Sequence, residues 1–355
     1  MAVNFTSIPL VNYHDSLSPD TKPRFLSALT SALVDVGFFY LQNPPIDVEG
    51  REALVKTTGA FFDLPTKKKL ELDVAHSKHF RGYACAGAEK TATISDQRET
   101  FTVGIDALVH GSDSPIYYGL EGPNQWLPEE ITPGLRKGVE LYIEQTQNLA
   151  DILLRIGAYP QMDPSKPAAA DIQGVGPHKD GSFLTYLLQG TGHSSLEVQN
   201  KSGTWISVPP IPNTLVVNIG RSLEALTQGV CVATTHRVNL KPAQYLGPDN
   251  IVLGKRLSFA FFQMVALDVT QEDMRVALPA HILALREKDV KSDAETFFVD
   301  LFKGPAGEAL LTNCITSYPE MGKRWYPEML ATMLEQQHKA KILDDAKLVG
   351  KSQTV

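Results

Sequence analysis

The chain has 355 residues, of which 43% are hydrophobic and 21% are charged, and its formal net charge is −7. This length and balance are typical of a soluble globular protein that buries a sizeable core without disulfides or metal staples. The acidic balance argues against a nucleic-acid partner, since such a partner requires a basic surface.

The cysteine content and the start of the chain bear on the compartment. The three cysteines, Cys85, Cys231 and Cys314, are odd in number and form no CxxC pair. A disulfide framework or a zinc ribbon is therefore disfavoured, and reduced thiols in a cytosolic compartment are favoured. The first residues lack the basic and apolar regions of a signal peptide, and no apolar run approaches the roughly 18 residues needed to cross a bilayer. We expect a cytoplasmic protein without a membrane partner, in which Cys231 is a small core residue.

The first third of the chain predicts a mixed α/β region over residues 1–130. In chain order, the predicted elements are a short strand over 8–13, a helix that begins at Ser18-Pro19 and ends at Gly37, a buried strand over 38–41, a helix over about 47–62, and a short helix from Thr66. Ser18 is the predicted N-cap, with proline in the first turn. The lysine run at 67–69 is expected to be a solvated face.

In the rest of the chain the predicted secondary structure changes twice. A loop-rich stretch over 105–131 leads to a helix that begins at Thr132-Pro133 and is expected to reach about Leu154. Between Tyr159 and Gln263, short β-rich runs separated by turn residues predict a jelly roll or barrel. After Val265 the pattern is helical again. We therefore predict an α+β fold with a double-stranded β-helix (jelly-roll, cupin-like) core and helical flanks, in which regions 1–130, 131–265 and 266–355 form one integrated domain.

One short motif carries the chemistry. In Pro177-His178-Lys179-Asp180-Gly181, the histidine and the aspartate stand two apart, and such residues of a strand share a face. His236, among β-branched residues, is the candidate third ligand. Two histidines and one carboxylate on one face leave coordination positions open, which suits Fe(II) chemistry with dioxygen. A lone HxD pair arises by chance in many proteins, so further evidence is needed.

That evidence comes from the strand-like run RLSFAFFQ. Arg256 and Ser258 share one of its faces and present a forked cation beside a hydroxyl. This pair matches a carboxylate in a partly buried pocket. An arginine in a surface ion pair is the common alternative. The ordered set of HxD, a distal histidine and RxS is much more specific than its parts.

These motifs resemble those of a known family. The segments IPLVNY, ALVDVGFFYLQN, FFDLPTKKKLEL and FRGYACAGAEK are similar to the N-terminal region of the isopenicillin N synthase-like branch of the 2-oxoglutarate/Fe(II)-dependent dioxygenases. The segments GPHKDGSFLTYLLQ, SSLEVQNKSGTWISVPPIPNTLVVNIG, ATTHRVNL and RLSFAFF are similar to its catalytic jelly roll. The C-terminal SYPEMGKRWYP resembles fungal members.

The resemblance implies roles for particular residues. His178, Asp180 and His236 match the iron ligands, while Arg256, Ser258 and Tyr159 match residues that hold the distal carboxylate of 2-oxoglutarate. No catalytic residue beyond the metal ligands is implied. Segments like RGY and RExF flank the barrel mouth in this family. The predicted substrate-lining residues are Arg81, Tyr83, Arg98 and Phe101 from the N-terminal region and Phe183, Tyr186 and Phe262 from the jelly roll. The alternative is that these aromatic residues are ordinary core residues and that the arginines form surface ion pairs.

The reaction implied by the resemblance is an oxidation by Fe(II), 2-oxoglutarate and O2. A small organic molecule is oxidised while succinate and CO2 are released. Hydroxylation is the default outcome, and desaturation and ring closure are the others. A role in secondary metabolism, and a monomer or weak homodimer, are expected. The sequence does not identify the substrate.

The chain departs from the family pattern in three places. Gly157 stands where many plant members have an asparagine, two residues before Tyr159. The segment between His236 and Arg256 is longer than the pattern, and its YLGPDN is expected to bulge at the barrel mouth. The predicted helix QNLADILLR runs almost directly into GAYP, so either the connection is trimmed here or the gene model has lost a segment.

Two alternatives stay open at this point. The first is an Fe(II) oxidase on the same fold that does not use 2-oxoglutarate, because RxS can also hold a substrate carboxylate. Succinate formation discriminates between these two. The second is a catalytically silent jelly-roll binding protein, for which iron titration is the test, since fold alone never settles function.

Overall fold

The computed structural model describes residues 4–91, 94–147, 152–165, 172–247, 250–274, 276–286, 294, 299 and 303–335. Its strands are β1 Leu10–Asn12, β2 Phe38–Gln42, β3 Gly82–Ala84, β4 Lys90–Thr91, β5 Ile94–Ser95, β6 Glu99–Gly104, β7 Ile152–Tyr159, β8 Ile172–His178, β9 Leu184–Gln189, β10 Leu196–Gln199, β11 Trp205–Ser207, β12 Thr214–Ile219, β13 His236–Leu240 and β14 Arg256–Gln263.

The helices lie mainly before and after this β-rich region. The α-helices are α1 Lys22–Ser31, α2 Val48–Asp63, α3 Thr66–Lys69, α4 Leu135–Gln147, α5 Arg221–Leu226, α6 Gln271–Met274, α7 Ala280–Leu283, α8 Ala306–Ser317 and α9 Pro319–Trp325. A π-helix spans Ala32–Val36, and 3-10 turns span Tyr13–Ser16, Leu70–Leu72, Val74–His76, Ile116–Leu120 and Pro242–Tyr245. Residues 327–335 are also helical.

Two sheets form the core, as the predicted double-stranded β-helix requires. The larger has the order β1-β2-β12-β9-β14-β7-β6-β3, and the smaller has the order β11-β10-β13-β8. One apolar cluster contains Tyr40 and Val216 from the larger sheet together with Val198 and Val238 from the smaller. The two sheets therefore pack face to face.

The two faces of the larger sheet have different partners. Phe259 and Phe261 of β14 are fully buried in the main apolar cluster, which also contains Leu54 of α2 and Val139 of α4. Alternate residues of a strand point to opposite faces. The residues of β14 that alternate with these two, Ser258 among them, therefore face the smaller sheet. This is the inner face, and it holds the candidate site.

The strand β7 corrects one prediction. The expected helix to about Leu154 ends at Gln147 instead, and Ile152–Tyr159 is a strand that pairs with both β6 and β14. Leucine and isoleucine fit either element, and pairing on both edges decides in favour of the strand. Residues 148–151, between α4 and β7, lie outside the described residues, and the two explanations of the short connection both stay open.

Smaller corrections concern the front of the chain. The helix predicted from Ser18-Pro19 begins at Lys22, because the Ser18 carbonyl accepts hydrogen bonds from the amides of Thr21 and Lys22 in a preceding turn. It is followed by the π-helix, and Gly37 ends the segment with φ of 74°, as predicted. Lys69 is buried rather than solvated, since its ammonium donates to the Phe62 carbonyl and pairs with Glu99.

The C-terminal region is helical where it is described, as predicted. Leu311 and Ile315 of α8 pack in one apolar cluster with Phe80 and Tyr117 from the N-terminal region. This cluster closes one end of the structure beside β3. Among the described residues, no helix is long and apolar enough to cross a membrane.

Replacing Phe259 with alanine tests the apolar layer between sheet and helices. Phe259→Ala is expected to lower the free energy of unfolding by about 3–5 kcal/mol, because a fully buried aromatic ring leaves a cavity. Leu26→Ala on α1, where the side chain is half exposed, is the control and should cost less than about 0.5 kcal/mol. Urea unfolding measures both, and equal costs would contradict this description of the core.

Candidate metal centre

The two histidines of the predicted triad face each other across the smaller sheet. His178 is the last residue of β8, His236 is the first residue of β13, and the two are directly paired in the antiparallel register. Their ring centroids lie 4.3 Å apart. Asp180 lies two residues beyond the end of β8. Strand alternation therefore does not position this carboxylate, contrary to the reason given for the HxD motif.

Neighbouring strands position Asp180 instead. Its Oδ2 accepts hydrogen bonds from Thr185 Oγ1 at 2.6 Å and from Asn218 Nδ2 at 2.8 Å. Its backbone carbonyl accepts from the Arg221 amide at 2.8 Å. With Oδ2 occupied, Oδ1 is left to face the imidazoles, and it lies 3.5 Å from His178 Nε2 and 3.7 Å from His236 Nε2.

Both imidazoles are oriented by backbone carbonyls. His178 Nδ1 lies 2.8 Å from the Gly176 carbonyl, and His236 Nδ1 lies 3.2 Å from the Thr234 carbonyl. Each Nδ1 therefore carries the proton, and each Nε2 presents a lone pair to Asp180 Oδ1. One ligand atom from each of the three residues lies within 4.8 Å of the others. These separations allow bonds of about 2.0–2.2 Å to a shared ion.

The electrostatic environment favours the metal-binding form of two of these groups, Asp180 and His236, whereas Asp180 outweighs burial and raises the pKa of His178. Burial raises the pKa of Asp180, but the two histidines and the Thr185 hydroxyl more than offset this, so its pKa lies well below the usual range. Burial, together with the charge of His178, lowers the pKa of His236 to about 4. An ionised carboxylate beside a neutral imidazole is the protonation state that binds a divalent cation.

The inner face of the larger sheet also carries Arg256. The side chain is 2% exposed, and its guanidinium carbon lies 4.4 Å from the centre of the Tyr159 ring, on the directly paired residue of β7. Its Nη1 is buried without a hydrogen-bond partner, and no carboxylate of the described residues pairs with it. A buried cation with a free donor fits an anionic ligand, because an unpaired buried charge is costly.

Tyr159 lies beside the Arg256 guanidinium and interacts with Ser258. Burial raises the pKa of the Tyr159 hydroxyl, but the charges of Arg256 and Arg98 and hydrogen bonds with Ser258 and Arg98 bring it below its ordinary value. Gly157 pairs with Ser258, and a Cβ there would lie 3.2 Å from Ser258 Oγ. The glycine that replaces the family's asparagine therefore leaves room for the serine hydroxyl.

The long segment before Arg256 begins with a buried residue, while Leu246, Ile251 and Val252 after it are exposed. That YLGPDN bulges at the barrel mouth stays a prediction, because residues 248 and 249 lie outside the described residues. Tyr245 is fully buried, its hydroxyl donates to the Pro160 carbonyl at 2.9 Å, and its ring meets that of buried His193 with centroids 4.4 Å apart. These contacts hold Tyr245 against Pro160 and His193.

A buried charged network lies on the other side of Tyr159. Glu89 pairs with Arg98 Nη2 at 2.6 Å and with Arg155 Nη1 at 3.3 Å, and it accepts a hydrogen bond from the Tyr318 hydroxyl. The network thereby joins the segment before β4, strand β7 and the junction of α8 with α9. Burial raises the pKa of Glu89, but the two arginines and Tyr318 outweigh it and lower the pKa to about 2.

The predicted substrate-lining residues separate into groups. Arg98 interacts with Tyr159 and lies close enough to His178 to affect its pKa. Phe262 lies on the inner face of β14, and Arg81 lies over Gly104 at the end of β6. Phe183 packs in a separate apolar cluster with Ile219.

Three of the predicted substrate-lining aromatic residues lie on the outer face of the larger sheet, away from the triad. Tyr83, Phe101 and Tyr186 belong to the main apolar cluster against the helices, and the Tyr83 hydroxyl donates to Glu99. Strand pairing opposes Phe101 to Tyr83 and Tyr186 to Phe261, which puts all of them on the outer face. The structure thus separates these three from the metal site, contrary to the prediction.

The sequence reasoning missed other residues of the site. Arg155 lies within the run that was expected to be a helix. Read as a strand, the same run alternates Arg155, Gly157 and Tyr159 on one face, and this period of two was the available signal. Glu89, Thr185 and Asn218 carry no such signal, because long-range contacts define their roles.

The fold and the triad together define a class of protein. It is a double-stranded β-helix protein whose candidate metal centre consists of two histidines and one carboxylate. Two family models match the chain. Residues 8–129 match the family described as the N-terminal region of the non-haem dioxygenase in morphine synthesis. Residues 150–264 match the 2OG-Fe(II) oxygenase superfamily.

Relatives along the whole chain agree with this class. A 2-oxoglutarate-dependent dioxygenase of Gibberella zeae is 44% identical, with 97% of this chain and 98% of the relative covered. A 2-oxoglutarate-dependent dioxygenase, frbJ, of Dothideomycetidae sp. is 36% identical, with 94% and 96% covered. The chain belongs to the 2OG-Fe(II) oxygenase superfamily and is a fungal-type member. It is a non-haem dioxygenase that depends on Fe(II) and 2-oxoglutarate and uses O2.

Solved structures share the fold. A full-length Neurospora crassa protein, crystallised in complex with α-ketoglutarate, has a TM-score of 0.61 at 23% identity, with 84% of this chain and 96% of that protein covered. A putative 2OG-Fe(II) oxygenase family protein of Caulobacter crescentus also has a TM-score of 0.61, at 24% identity, with 88% and 99% covered.

Removal of the Thr185 hydroxyl tests how Asp180 is held. Thr185→Val keeps the side-chain shape but removes one of the two donors to Asp180 Oδ2, so we expect divalent-metal affinity to fall about 10- to 100-fold. Anaerobic calorimetry with Fe(II) measures the effect. Thr30→Val on α1, at an exposed threonine, is the matched control. Unchanged affinity in Thr185→Val would show that Asn218 alone suffices.

The Glu89 network predicts a pH dependence of stability. The folded-state pKa of Glu89 is depressed, so its stabilisation is fully present above its unfolded pKa of about 4.5 and is lost as pH falls towards 2. The whole effect is worth about 3 kcal/mol by linkage. Between pH 5 and pH 3, the unfolding free energy of Glu89→Gln should therefore fall less steeply than that of the wild type. Urea titrations with Glu320→Gln, a highly exposed control, measure the difference. Parallel profiles for all three proteins would refute the assignment.

Proposed function

We propose that His178, Asp180 and His236 bind the Fe(II) ion and that Arg256, Ser258 and Tyr159 bind the distal carboxylate of 2-oxoglutarate. The observation that carries the proposal is the pairing of the converged triad with a buried, unpartnered Arg256 Nη1 on the inner face of the same barrel. A metal centre and an anion site in one barrel fit a cosubstrate with a metal-chelating end and an anionic end.

The protein's part in metal binding is to fix orientation. The Gly176 and Thr234 carbonyls hold the Nδ1 protons, so that each imidazole presents Nε2. Thr185 and Asn218 occupy one oxygen of Asp180 and leave the other for the ion. Three protein ligands leave positions for 2-oxoglutarate and O2.

On the cosubstrate side, Arg256 supplies two parallel donors to a carboxylate and Ser258 supplies a third. The Tyr159 ring supports the guanidinium from below, and buried Tyr245 encloses that end of the barrel. When bound, Fe(II) with 2-oxoglutarate and O2 supplies the oxidising power that breaks a substrate C–H bond, with release of succinate and CO2. Burial of the site keeps water away from that step.

The substrate is a small molecule that would enter between the N-terminal region and the C-terminal helices. Arg98, Arg81 and Phe262 are the proposed lining residues, because they lie on or over the inner face of the larger sheet. Hydroxylation is the default outcome. We further propose a cytoplasmic enzyme of secondary metabolism, a monomer or weak homodimer without a nucleic-acid or membrane partner, in which regions 1–130, 131–265 and 266–355 act as one unit.

Substitutions of Arg256 test the cosubstrate assignment. Arg256→Lys should weaken 2-oxoglutarate binding because the charge is kept while the fork is lost, and Arg256→Ala should weaken it further. Ser258→Ala should cost about 1.5–3 kcal/mol, the worth of one hydrogen bond to a charged group. The measurement is 2-oxoglutarate affinity of the Fe(II)-loaded protein, followed anaerobically by the metal-to-ligand absorption band.

Two controls make this result specific. Iron affinity of the Arg256 variants should stay within about twofold of wild type, and Arg24→Ala, at an exposed arginine paired with Asp15, should change nothing. Undiminished 2-oxoglutarate binding in Arg256→Ala would instead favour the oxidase that does not use this cosubstrate, and substrate turnover without succinate would establish it.

A further inference from the structure

We propose that Arg81 binds a carboxylate of the substrate, so that the enzyme acts on small organic acids. The inference rests on the proposed function and adds the chemical class of the substrate to it. The supporting feature is a row of buried arginines on the inner face of the larger sheet, outside the positions assigned to iron and 2-oxoglutarate.

Three arginines follow strand β6 outwards from the metal centre. Arg98 immediately precedes the strand and interacts with Tyr159. Arg155 is paired with Thr102, in the middle of the strand. The Arg81 guanidinium lies over Gly104, at the far end, so closely that a Cβ at Gly104 would collide with it. Residues 102 and 104 share a face, so Arg81 lies on the same side of the strand as Arg155.

Two of these arginines have acidic partners. Glu89 pairs with both Arg98 and Arg155. The carboxylate of Asp96, itself 1% exposed, contributes further to the environment of Arg98. The charge of this inner part of the row is therefore balanced within the protein.

Arg81 has no such partner among the described residues. It is 8% exposed, its Nη2 makes one hydrogen bond, to the Leu120 carbonyl at 3.3 Å, and its Nε is buried without any partner. The charges of Asp106 and Glu121 act on Arg81, but these two carboxylates are about two-fifths exposed and pair with Arg136 and His110. Burial lowers the pKa of Arg81 to about 10, which leaves it a cation at neutral pH.

The position of Arg81 suits a substrate group rather than a structural ion. Cys314 of α8 lies close enough to both Arg155 and Arg81 for each to affect its pKa, so the two guanidinium groups share a neighbour. Gly104 gives Arg81 space to lie flat on the strand. A forked donor at the outer end of the row of arginines along β6 matches a carboxylate at the far end of a small molecule.

The test compares matched acids and amides on the full-length protein. Wild type is first loaded anaerobically with Fe(II) and 2-oxoglutarate, and its absorption band reports that both are bound. Hexanoate and hexanamide, and 3-phenylpropanoate and 3-phenylpropanamide, are then titrated while the band is followed. We expect each acid to bind at least about tenfold more tightly than its amide, as one charge-assisted contact predicts.

Variants locate the contact. Arg81→Gln should weaken acid binding about 10- to 100-fold and leave amide and 2-oxoglutarate binding unchanged. Gly104→Ala, which keeps Arg81 but displaces its guanidinium, should shift acid binding in the same direction. Arg51→Gln is the matched control. Arg51 is also buried, but it lies on α2 and donates a hydrogen bond to Asn213.

Two results would overturn the proposal. One is equal behaviour of the acid and the amide in each pair, whether both bind or neither binds. The other is acid binding in Arg81→Gln that equals wild type. Both are distinct from failure of the proposed function, which would appear earlier, as a missing 2-oxoglutarate band in the wild type.

Discussion

The direct pairing of β8 with β13 is the constraint on which the site depends. It puts His178 opposite His236, so that two imidazoles from distant parts of the chain face one point. The carboxylate could not be delivered by either strand, because Asp180 lies past the end of β8. The larger sheet supplies the missing constraint through Thr185 and Asn218, and the metal centre is therefore assembled by contact between the two sheets.

Charge balance organises the remainder of the barrel. Arginines are rarely buried without partners, because desolvation of a guanidinium is costly. Here Glu89 compensates Arg98 and Arg155, whereas Arg256 and Arg81, at separate positions, have a buried donor without a partner and no paired carboxylate among the described residues. Free donors of this kind are explained if ligands complete them. One position lies against Tyr159, within the barrel, and the other lies at the outer end of β6.

The sequence was sufficient to name the three residues that converge and the class of fold, because both follow from residue types and from the order of the motifs. His178, Asp180, His236 and the Arg256 pair lie in short strand-like segments with distinctive residue types. Short β-rich runs between turn residues also predicted most jelly-roll strands. The run Ile152–Tyr159 was misjudged, since its leucines and isoleucines suit a helix in isolation, and only pairing on both edges makes it a strand.

Assignments that depend on which face a residue occupies were less reliable. Tyr83, Phe101 and Tyr186 were expected in the pocket, yet an offset of one residue along a strand puts them among the helices. Lys69 was expected in solvent and is buried, because Glu99 lies opposite it in the folded structure. Such partners are distant in sequence, so composition and spacing alone do not reveal them.

The most direct test of the central claim is a crystal structure of the protein grown anaerobically with Fe(II) and 2-oxoglutarate, with anomalous scattering recorded at the iron edge. We predict one iron peak, bonded at about 2.0–2.2 Å to the two Nε2 atoms and to one oxygen of Asp180, with the distal carboxylate of 2-oxoglutarate on Arg256. An iron peak elsewhere, or a carboxylate that does not reach Arg256, would contradict it.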